Sequence, residues 1–174
     1  GRFLAAVLGG RAGLRVFKVP EFTPAATDGS YASASFWADF DREGRLATSS
    51  VDGSVRLYDR DFRLLTKSVP AKGKHPYGVA FSPDGQLLAV GYVDSTHVDV
   101  LSGQTLSLQF SPEPPATATA AAGTLNSVAW SADGATLMAG GRYQNQAGIK
   151  LLRLWRNAGR GAAADVPTTA GTIM

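Results

Sequence analysis

Apolar and polar residues alternate with a period of two along much of this 174-residue chain, which is typical of β-strands that bury one face. The clearest stretch runs from Tyr77 to Leu101, where two turns join three such segments. Asp84-Gly85 forms the first turn, and Asp-Gly is a strong hairpin signal because glycine adopts the positive φ that the turn requires. With a second turn at Asp94-Ser95, the pattern predicts an antiparallel meander.

The same meander recurs along the chain. The turn Ser82 to Gly85 returns as Ser131 to Gly134, and the third strand returns at positions 14, 55, 98 and 152. These starts lie 41, 43 and 54 residues apart, and a period of roughly 40 to 45 residues is typical of a propeller blade. The last interval is long because it holds the Pro/Ala/Thr-rich tract Ser111 to Gly123, which we interpret as one inserted loop.

These repeats resemble the WD40 family. The Ser-Pro-Asp-Gly turn matches the a–b hairpin of that family, and Leu57-Tyr58-Asp59 stands where its strand c ends in Trp-Asp. Asp52 and Asp94 match the family's aspartate in the b–c turn, whereas Tyr143 stands at that position in the last repeat. The Gly-His dipeptide that often opens a repeat is absent. The resemblance therefore implies degenerate repeats without a complete Asp-His-Ser-Trp tetrad.

Repeats and resemblance together predict an all-β fold, a partial WD40-like β-propeller of nearly four four-stranded antiparallel blades. Gly1 to Leu4 aligns with Gly85 to Leu88, so the first blade has no strand a and we expect a piece of a longer propeller. The tail after Asn157 offers little to pack. Within 1–174 we predict a truncated blade (1–26), two blades (27–70 and 71–111), the loop insertion (112–123) and a last blade with a weakly patterned tail (124–174).

An incomplete ring would leave apolar blade faces bare, and such faces aggregate or find a partner. We expect the ring to be completed by further polypeptide of the same protein or by a second copy. The bare faces are predicted to expose Leu4, Val16, Leu137 and Leu154. Within strand c, Arg56 alternates with apolar residues, so we expect it on the surface.

Composition argues against several classes of function. The 17 basic and 14 acidic residues are scattered, which indicates an ordinary solvated surface and supports neither a nucleic-acid nor a membrane partner. No apolar run approaches the length of a membrane span, and no signal peptide is visible. With no cysteine, disulfides, thiolate catalysis and cysteine-based metal sites are excluded, which fits a cytoplasmic protein.

Candidate catalytic groups are few. His75 and His97 stand outside any nucleophile motif and are too isolated to be good metal ligands. Asp94 and Asp99 would be a conceivable carboxylate pair, but we interpret Asp94 as the cap of its own turn and place Asp99 on the polar side of strand c. We therefore expect no catalytic residue, no cofactor and no metal, and predict that the protein is not an enzyme.

In the WD40 arrangement the d–a and b–c loops share one end of the propeller, and here those loops vary in length and chemistry. Variable loops on a rigid frame are where binding usually occurs, and tyrosine is favoured at interfaces. Tyr31 and three other loop tyrosines either contact a partner or cover the blade ends. The candidate partner-binding residues are Lys72, Lys74, His75, Tyr77, Tyr92, Asp94, Arg142, Tyr143 and Asn145.

The preferred interpretation is a protein–protein interaction module within a larger scaffold or signalling protein. One alternative is an enzymatic or small-ligand propeller with its site in the central channel, although strand a supplies mainly small residues there, such as Ala38, Val79 and Val128. A second alternative is a purely architectural segment of the ring.

Overall fold

The computed structural model describes residues 1–115 and 122–168, and within those ranges every regular element is a β-strand. The strands are β1 (Phe3–Val7), β2 (Leu14–Lys18), β3 (Thr23–Asp28), β4 (Ser35–Phe40), β5 (Leu46–Ser50), β6 (Val55–Tyr58), β7 (Leu64–Ser68), β8 (Pro76–Phe81), β9 (Leu87–Tyr92), β10 (Asp99–Ser102), β11 (Leu108–Phe110), β12 (Leu125–Trp130), β13 (Leu137–Gly141), β14 (Leu151–Trp155) and β15 (Ala163–Pro167).

The strands form four antiparallel meanders, which we call blades 1 to 4. Blade 1 is the three-stranded sheet β1-β2-β3, and the other blades are the four-stranded sheets β4 to β7, β8 to β11 and β12 to β15. Blade 1 thus consists of strands b, c and d. The predicted all-β fold of antiparallel blades is confirmed.

The blades pack face to face in chain order, and three apolar clusters fill the spaces between them. Val16 of blade 1 meets Tyr58 of blade 2, and Leu137 of blade 4 packs among residues of blade 3. Both Val16 and Leu137 are therefore buried, and the prediction that they lie on bare faces is wrong. Leu4 is exposed and Leu154 is half-buried on the two outward faces.

The alternation of apolar and polar residues predicted most strands correctly, but it did not predict the last one, β15. β15 (Ala163–Pro167) pairs with β14 along its whole length, although its sequence carries little apolar pattern. An outer strand is held by backbone hydrogen bonds on one side only, so it needs no buried side-chain face. Within the tail after Asn157, Ala163–Pro167 thus form strand d of blade 4.

The long last repeat interval has two sources. From blade 2 to blade 4 the b–c loops lengthen, from 51–54 through 93–98 to 142–150. The connection 111–124 supplies the rest, and its residues 116–121 lie outside the described ranges. The connection that contains the predicted insertion 112–123 therefore holds more of the additional length than the b–c loop of blade 4 does.

Arg45 holds the opposite end of the propeller, where the a–b and c–d turns meet. It forms a 2.6 Å ion pair with Asp41 and donates to the carbonyl oxygens of Gly103 and Gly85 at 2.6 and 2.8 Å. These contacts join the a–b turn of blade 2 to two turns of blade 3. The local sequence around Arg45 does not reveal this role, because its partners lie 40 and 58 residues further along the chain.

Candidate functional site

The predicted binding residues lie at the end of the propeller formed by the d–a connections 29–34 and 69–75 and the b–c loops 51–54, 93–98 and 142–150, which we call the rim. Asp52 accepts the backbone N–H of Ala32 at 3.1 Å. Asp94 accepts those of Lys74 and His75 at 2.9 and 3.2 Å. Each aspartate therefore ties a b–c turn to the d–a connection of its own blade, and the prediction that Asp94 only caps its own turn is wrong.

Hydrogen bonds also join the rim from blade to blade. The His75 Nδ1 atom lies 3.1 Å from the carbonyl oxygen of Val51 in blade 2. On the other side of blade 3, the Leu125 N–H donates to Ser95 at 3.0 Å. Because these contacts cross the blade boundaries, the rim loops are held in one arrangement before any partner binds.

An aromatic patch of Phe36, Trp37 and Tyr77 lies where strands β4 and β8 enter the rim. The Tyr77 ring centroid is 5.5 Å from that of Phe36 and 6.0 Å from that of Trp37. Phe36 is 50% exposed, while Trp37 and Tyr77 are half-buried. Apolar side chains stacked at a rigid, partly solvated position are suited to contact another protein.

Sequence reasoning found Tyr77 but missed its two neighbours. A register shift between Ser35 and Trp37 interrupts the alternation of β4, so Phe36 and Trp37 can both lie near the Tyr77 ring. The shift depends on pairing with β5, and the run Ser35 to Phe40 carries no local signal for it.

Some charged side chains of the rim form ion pairs, and others do not. Asp52 is bound to the Arg56 guanidinium at 2.8 Å. Burial opposes ionisation of Asp52, but hydrogen bonds from Arg56 and from the Ala32 N–H outweigh it and lower its pKa to about 2. Lys72, Lys74 and Arg142 are exposed, and within the described ranges none of the three forms an ion pair. The accessible charge on the rim is consequently positive.

Tyr92, a predicted contact residue, is completely buried between blades 2 and 3. Its hydroxyl donates to Asp99 at 2.5 Å, and Asp99 also accepts the N–H groups of Ala71 and Lys72 at 2.9 and 3.0 Å. Burial and this carboxylate raise the pKa of Tyr92. The Tyr92 ring lies against Gly73, where any Cβ would collide with it.

Asp99 is 0% exposed, so the side of strand c that was interpreted as polar is buried at this position. Ser111 completes its partners by donating to the second carboxylate oxygen at 2.6 Å. A buried carboxylate is tolerated only when hydrogen-bond donors surround it, and here four donors do so. Asp99 is thus a structural anchor of the d–a connection.

Tyr143 in blade 4 is also buried. Its hydroxyl donates to Asp165 at 2.7 Å and contacts Arg153, whose guanidinium lies 4.4 Å from the Tyr143 ring centroid. Burial, followed by the hydrogen bond to Asp165, raises the pKa of Tyr143 to about 12. Tyr92 and Tyr143 cover the blade ends, so their prediction as direct partner contacts is corrected.

Blade 2 holds a third buried tyrosine. The hydroxyl of Tyr31 lies 2.6 Å from Thr48 and 2.9 Å from the hydroxyl of Tyr58, and the Arg56 guanidinium lies 3.9 Å from the Tyr31 ring centroid. Arg56 is only 1% exposed, so the prediction of a surface residue is wrong. The side of β6 that carries Arg56 faces blade 1 instead of solvent.

The nine predicted residues therefore separate into three groups. Asn145 is half-buried and accepts the Ile149 N–H at 3.0 Å, which closes its own loop, while Tyr77 is half-buried within the aromatic patch. Tyr92 and Tyr143 are buried. The exposed group consists of Lys72, Lys74, His75, Asp94 and Arg142.

Trp37 also borders a cavity of about 320 Å³ against strands β12 and β13. Ser127, Met138 and Leu152 also line this cavity.

Within the described ranges no three His, Cys, Asp or Glu residues come together as metal ligands. In the same part of the chain, no helix has the length and apolarity needed to cross a bilayer.

The comparisons with known proteins agree with this architecture. The family model for the WD domain, G-beta repeat, matches residues 66–98, which run from strand β7 to the start of β10. The WD repeat-containing protein VIP3 of Arabidopsis thaliana is 33% identical over 101 residues, which cover 54% of this chain and 32% of that protein. The chain thus spans about a third of the length of this curated relative.

A chain in the crystal structure of a mitotic checkpoint complex matches 98% of this chain with a TM-score of 0.74 and 22% identity. That match covers 48% of the solved chain. Together these findings confirm the resemblance: the chain carries a WD40 repeat, and its fold is a partial WD40 β-propeller. Proteins of this class typically act as interaction modules.

Proposed function

We propose that the rim recognises a protein partner and that the chain serves as one module of a larger scaffold or signalling protein. The observation that carries this proposal is the exposed Phe36, stacked on Tyr77 at a rim fixed by hydrogen bonds from blade to blade. The WD40 class, in which protein interaction is typical, supports the same function. We propose binding, not catalysis, as its biochemical activity.

Burial of the aromatic patch provides the affinity in this proposal. Fully burying a phenylalanine side chain contributes about 1.5–3 kcal/mol, and Phe36 has half of its surface available. The rim loops are already held by Asp52 and Asp94, so little conformational entropy is lost on association. Because the rim is rigid before binding, most of the free energy gained by burying the aromatic patch is available for affinity.

Charge sets the preferred orientation of the partner. Lys72, Lys74 and Arg142 are exposed, whereas Asp52 is neutralised by Arg56. A partner surface with carboxylates facing these cations would be steered to the rim, mainly through a faster association rate. Raising the salt concentration should slow association more than it speeds dissociation.

The test compares three forms of the chain as bait: the unmodified chain, the double variant Phe36→Ala/Tyr77→Ala, and the control Phe22→Ala. Phe22 is equally accessible but lies in the c–d turn of blade 1, away from the rim. Quantitative mass spectrometry of captured proteins should show a partner retained by the control and lost from the rim variant. Circular dichroism must show that all three fold.

A partner captured equally by all three baits would contradict the proposal, as would one lost only from the control. The captured partner is then titrated against each form by calorimetry. We expect the double variant to weaken binding at least about tenfold, which corresponds to about 1.4 kcal/mol.

We further propose that the outward face of blade 4 is covered by additional polypeptide of the same protein or by a second copy. Met138, Leu152 and Leu154 are half-buried on that face, which the described part of the chain leaves without a neighbouring blade. Light scattering tests this proposal: a dimer indicates a second copy, and aggregation indicates a missing blade. A stable monomer of 18.2 kDa would contradict both.

A further inference from the structure

A buried guanidinium lies at the boundary between blades 2 and 3. Arg45 carries it, is 8% exposed, and donates to the carbonyl oxygens of Gly85 and Gly103 at 2.8 and 2.6 Å. Asp41 provides the counter-ion, and the Phe81 ring centroid lies 5.6 Å from the guanidinium carbon. Two carbonyl oxygens, a carboxylate and an aromatic ring therefore hold an arginine side chain at this boundary.

The boundary between blades 3 and 4 is built in the same way but has no such arginine. In blades 2 and 3, Leu46 and Leu88 are equivalent, because each pairs with the last aromatic residue of strand a. The residues directly before them are Arg45 and Leu87, which are therefore equivalent as well. Leucine is shorter than arginine and donates no hydrogen bond, so the acceptors at this second boundary are left free.

A pocket of about 300 Å³, which we call the turn pocket, opens beside Leu87 at this second boundary. Its lining contains residues at four of the positions that surround Arg45 one blade earlier, namely Ser82, Trp130, Gly134 and Ala158. Trp130 is half-buried, and its indole N–H donates to the Ala80 carbonyl oxygen at 3.0 Å, which fixes the ring. The turn pocket thus has the dimensions and the aromatic wall of an arginine site.

Turn geometry supports the correspondence between the two boundaries. Gly134 and Gly85 close equivalent a–b turns, with φ angles of 71° and 69°. The N–H of Ala158 donates at 2.9 Å to the residue that follows the turn glycine, as the N–H of Gly103 does at 2.7 Å. The Gly134 carbonyl oxygen therefore corresponds to the Gly85 oxygen that binds Arg45, and within the described ranges it accepts no hydrogen bond.

Two ionised carboxylates border the turn pocket. The Ser82 hydroxyl donates to Asp84 at 2.6 Å. The Ser131 hydroxyl donates to Asp133 at 2.5 Å. These hydrogen bonds lower the pKa of both carboxyl groups, so both are charged at neutral pH. Arg42 also borders the pocket, but it is exposed and forms no ion pair within the described ranges, so negative charge predominates.

We propose that the turn pocket receives the guanidinium group of an arginine side chain from a partner protein. The guanidinium donates to the Gly134 carbonyl oxygen and to the carboxylates of Asp84 and Asp133. Its plane lies on the Trp130 ring. Arginine is preferred over lysine because its planar, forked donors reach several acceptors at once and stack on an aromatic ring.

The source of the guanidinium is a protein side chain, as it is at the boundary between blades 2 and 3. The α-carboxylate of free arginine would approach Asp84 and Asp133, and like charges repel. The turn pocket lies at the end of the propeller opposite to the rim, so this proposal does not depend on the rim binding a partner.

The first experiment titrates capped tripeptides into the full chain labelled with nitrogen-15 and follows amide chemical shifts. The probe is acetyl-Gly-Arg-Gly-amide, and the comparison peptides carry lysine or the neutral analogue citrulline. We expect saturable shifts at Gly134 and at the Trp130 indole. The arginine peptide should bind at least about threefold more tightly than the lysine peptide, and the citrulline peptide should not bind. Free arginine should bind more weakly than the capped peptide.

The second experiment changes the charges of the turn pocket. The variant Asp84→Asn/Asp133→Asn should weaken the arginine peptide at least about threefold. The control Glu21→Gln/Asp61→Asn makes the same change in net charge on exposed residues of the c–d turns of blades 1 and 2, and it should bind normally. Arg42→Gln removes a like charge and should tighten binding.

The third experiment supplies the guanidinium from the chain itself. Leu87→Arg reproduces the arrangement of Arg45, so it should shift the Gly134 amide signal in the same direction as the peptide does and abolish peptide binding. Leu87→Lys is the control, because it has the same charge without the forked donors. We expect Leu87→Arg to melt at a higher temperature than Leu87→Lys, and circular dichroism verifies that both variants fold.

The proposal would be overturned by absence of saturable shifts, by equal binding of the citrulline peptide, or by weaker binding to Arg42→Gln. Tighter binding of free arginine than of the capped peptide would also overturn it, because a small molecule would then be the occupant. The rim variant Phe36→Ala/Tyr77→Ala should bind the arginine peptide normally. Loss of binding in that variant would place the arginine site at the rim instead of the turn pocket.

Discussion

Strand c of blade 2 and strand c of blade 3 carry opposite charges at equivalent positions, and both charges are buried. The position is the second residue of the recurring strand c segments that start at 14, 55, 98 and 152. In blade 2 this residue is Arg56, which binds Asp52 at 2.8 Å and stacks on Tyr31. In blade 3 it is Asp99, which accepts the Tyr92 hydroxyl at 2.5 Å and two backbone N–H groups. Each arrangement fixes one tyrosine beneath the rim.

In blades 2 and 3 this position accommodates a buried charge of either sign, because an opposite charge or several hydrogen-bond donors lie beside it. Arg56 neutralises the carboxylate that holds its own b–c turn, whereas Asp99 binds the d–a connection directly. Blade 4 uses the arginine arrangement again, with Arg153 paired to Asp165 at 2.8 Å. A buried charge is costly without such partners, so blades 2, 3 and 4 supply them within their own loops or strands.

The largest expected effect comes from removing the blade 2 charge. Arg56→Ala leaves Asp52 without its counter-ion and empties the space beside Tyr31, so unfolding free energy should fall by about 3–5 kcal/mol. Arg15 occupies the equivalent position of strand c in blade 1 but is exposed, and Arg15→Ala should change stability by less than about 0.5 kcal/mol. Denaturant titration measures both, and equal losses would contradict the assigned burial.

A smaller loss is expected in blade 3. Asp99→Asn preserves shape, and its amide oxygen can still accept from Tyr92, Ala71 and Lys72, which bind one carboxylate oxygen. The acceptor loses its charge, however, and the amide nitrogen cannot accept from the Ser111 hydroxyl. We expect a loss of about 1–3 kcal/mol in a denaturant titration, the cost of leaving buried groups unsatisfied. The control Asp84→Asn changes an exposed turn carboxylate and should cost less. A loss as large as that of Arg56→Ala would show that charge, not hydrogen bonding, dominates at Asp99.

The smallest effect is the pH dependence contributed by Asp52. Its pKa is lowered from 3.8 to about 2, so the folded state favours the ionised form. The resulting stability is fully present above pH 4 and is lost as the pH falls through 2, by about 1 kcal/mol after solvent screening. Asp52→Asn should show a flatter stability curve than the unmodified chain in this window. Parallel curves would contradict the Arg56–Asp52 pairing.

The strands of this protein could be predicted from sequence because their signals are local. The three segments between Tyr77 and Leu101 were predicted from their alternation and the turns between them, and the structure has them as β8, β9 and β10. β15 was missed because an outer strand is recruited by the backbone of β14, and that partner is not encoded in its own side chains. Local pattern therefore identifies strands that bury a face, and fails for strands that only complete a sheet.

The sequence by itself determined the blades, their turns and the position of Tyr77 near the rim. Tertiary structure decided which polar residues are buried, because both faces of an inner strand c are covered once blades stack, and alternation alone cannot reveal that. It also brought Phe36 beside Tyr77, although they lie 41 residues apart, since strands β4 and β8 become neighbours only when blades 2 and 3 pack. Short-range chemistry thus defined the units, and packing between them created the surface that we propose binds a partner.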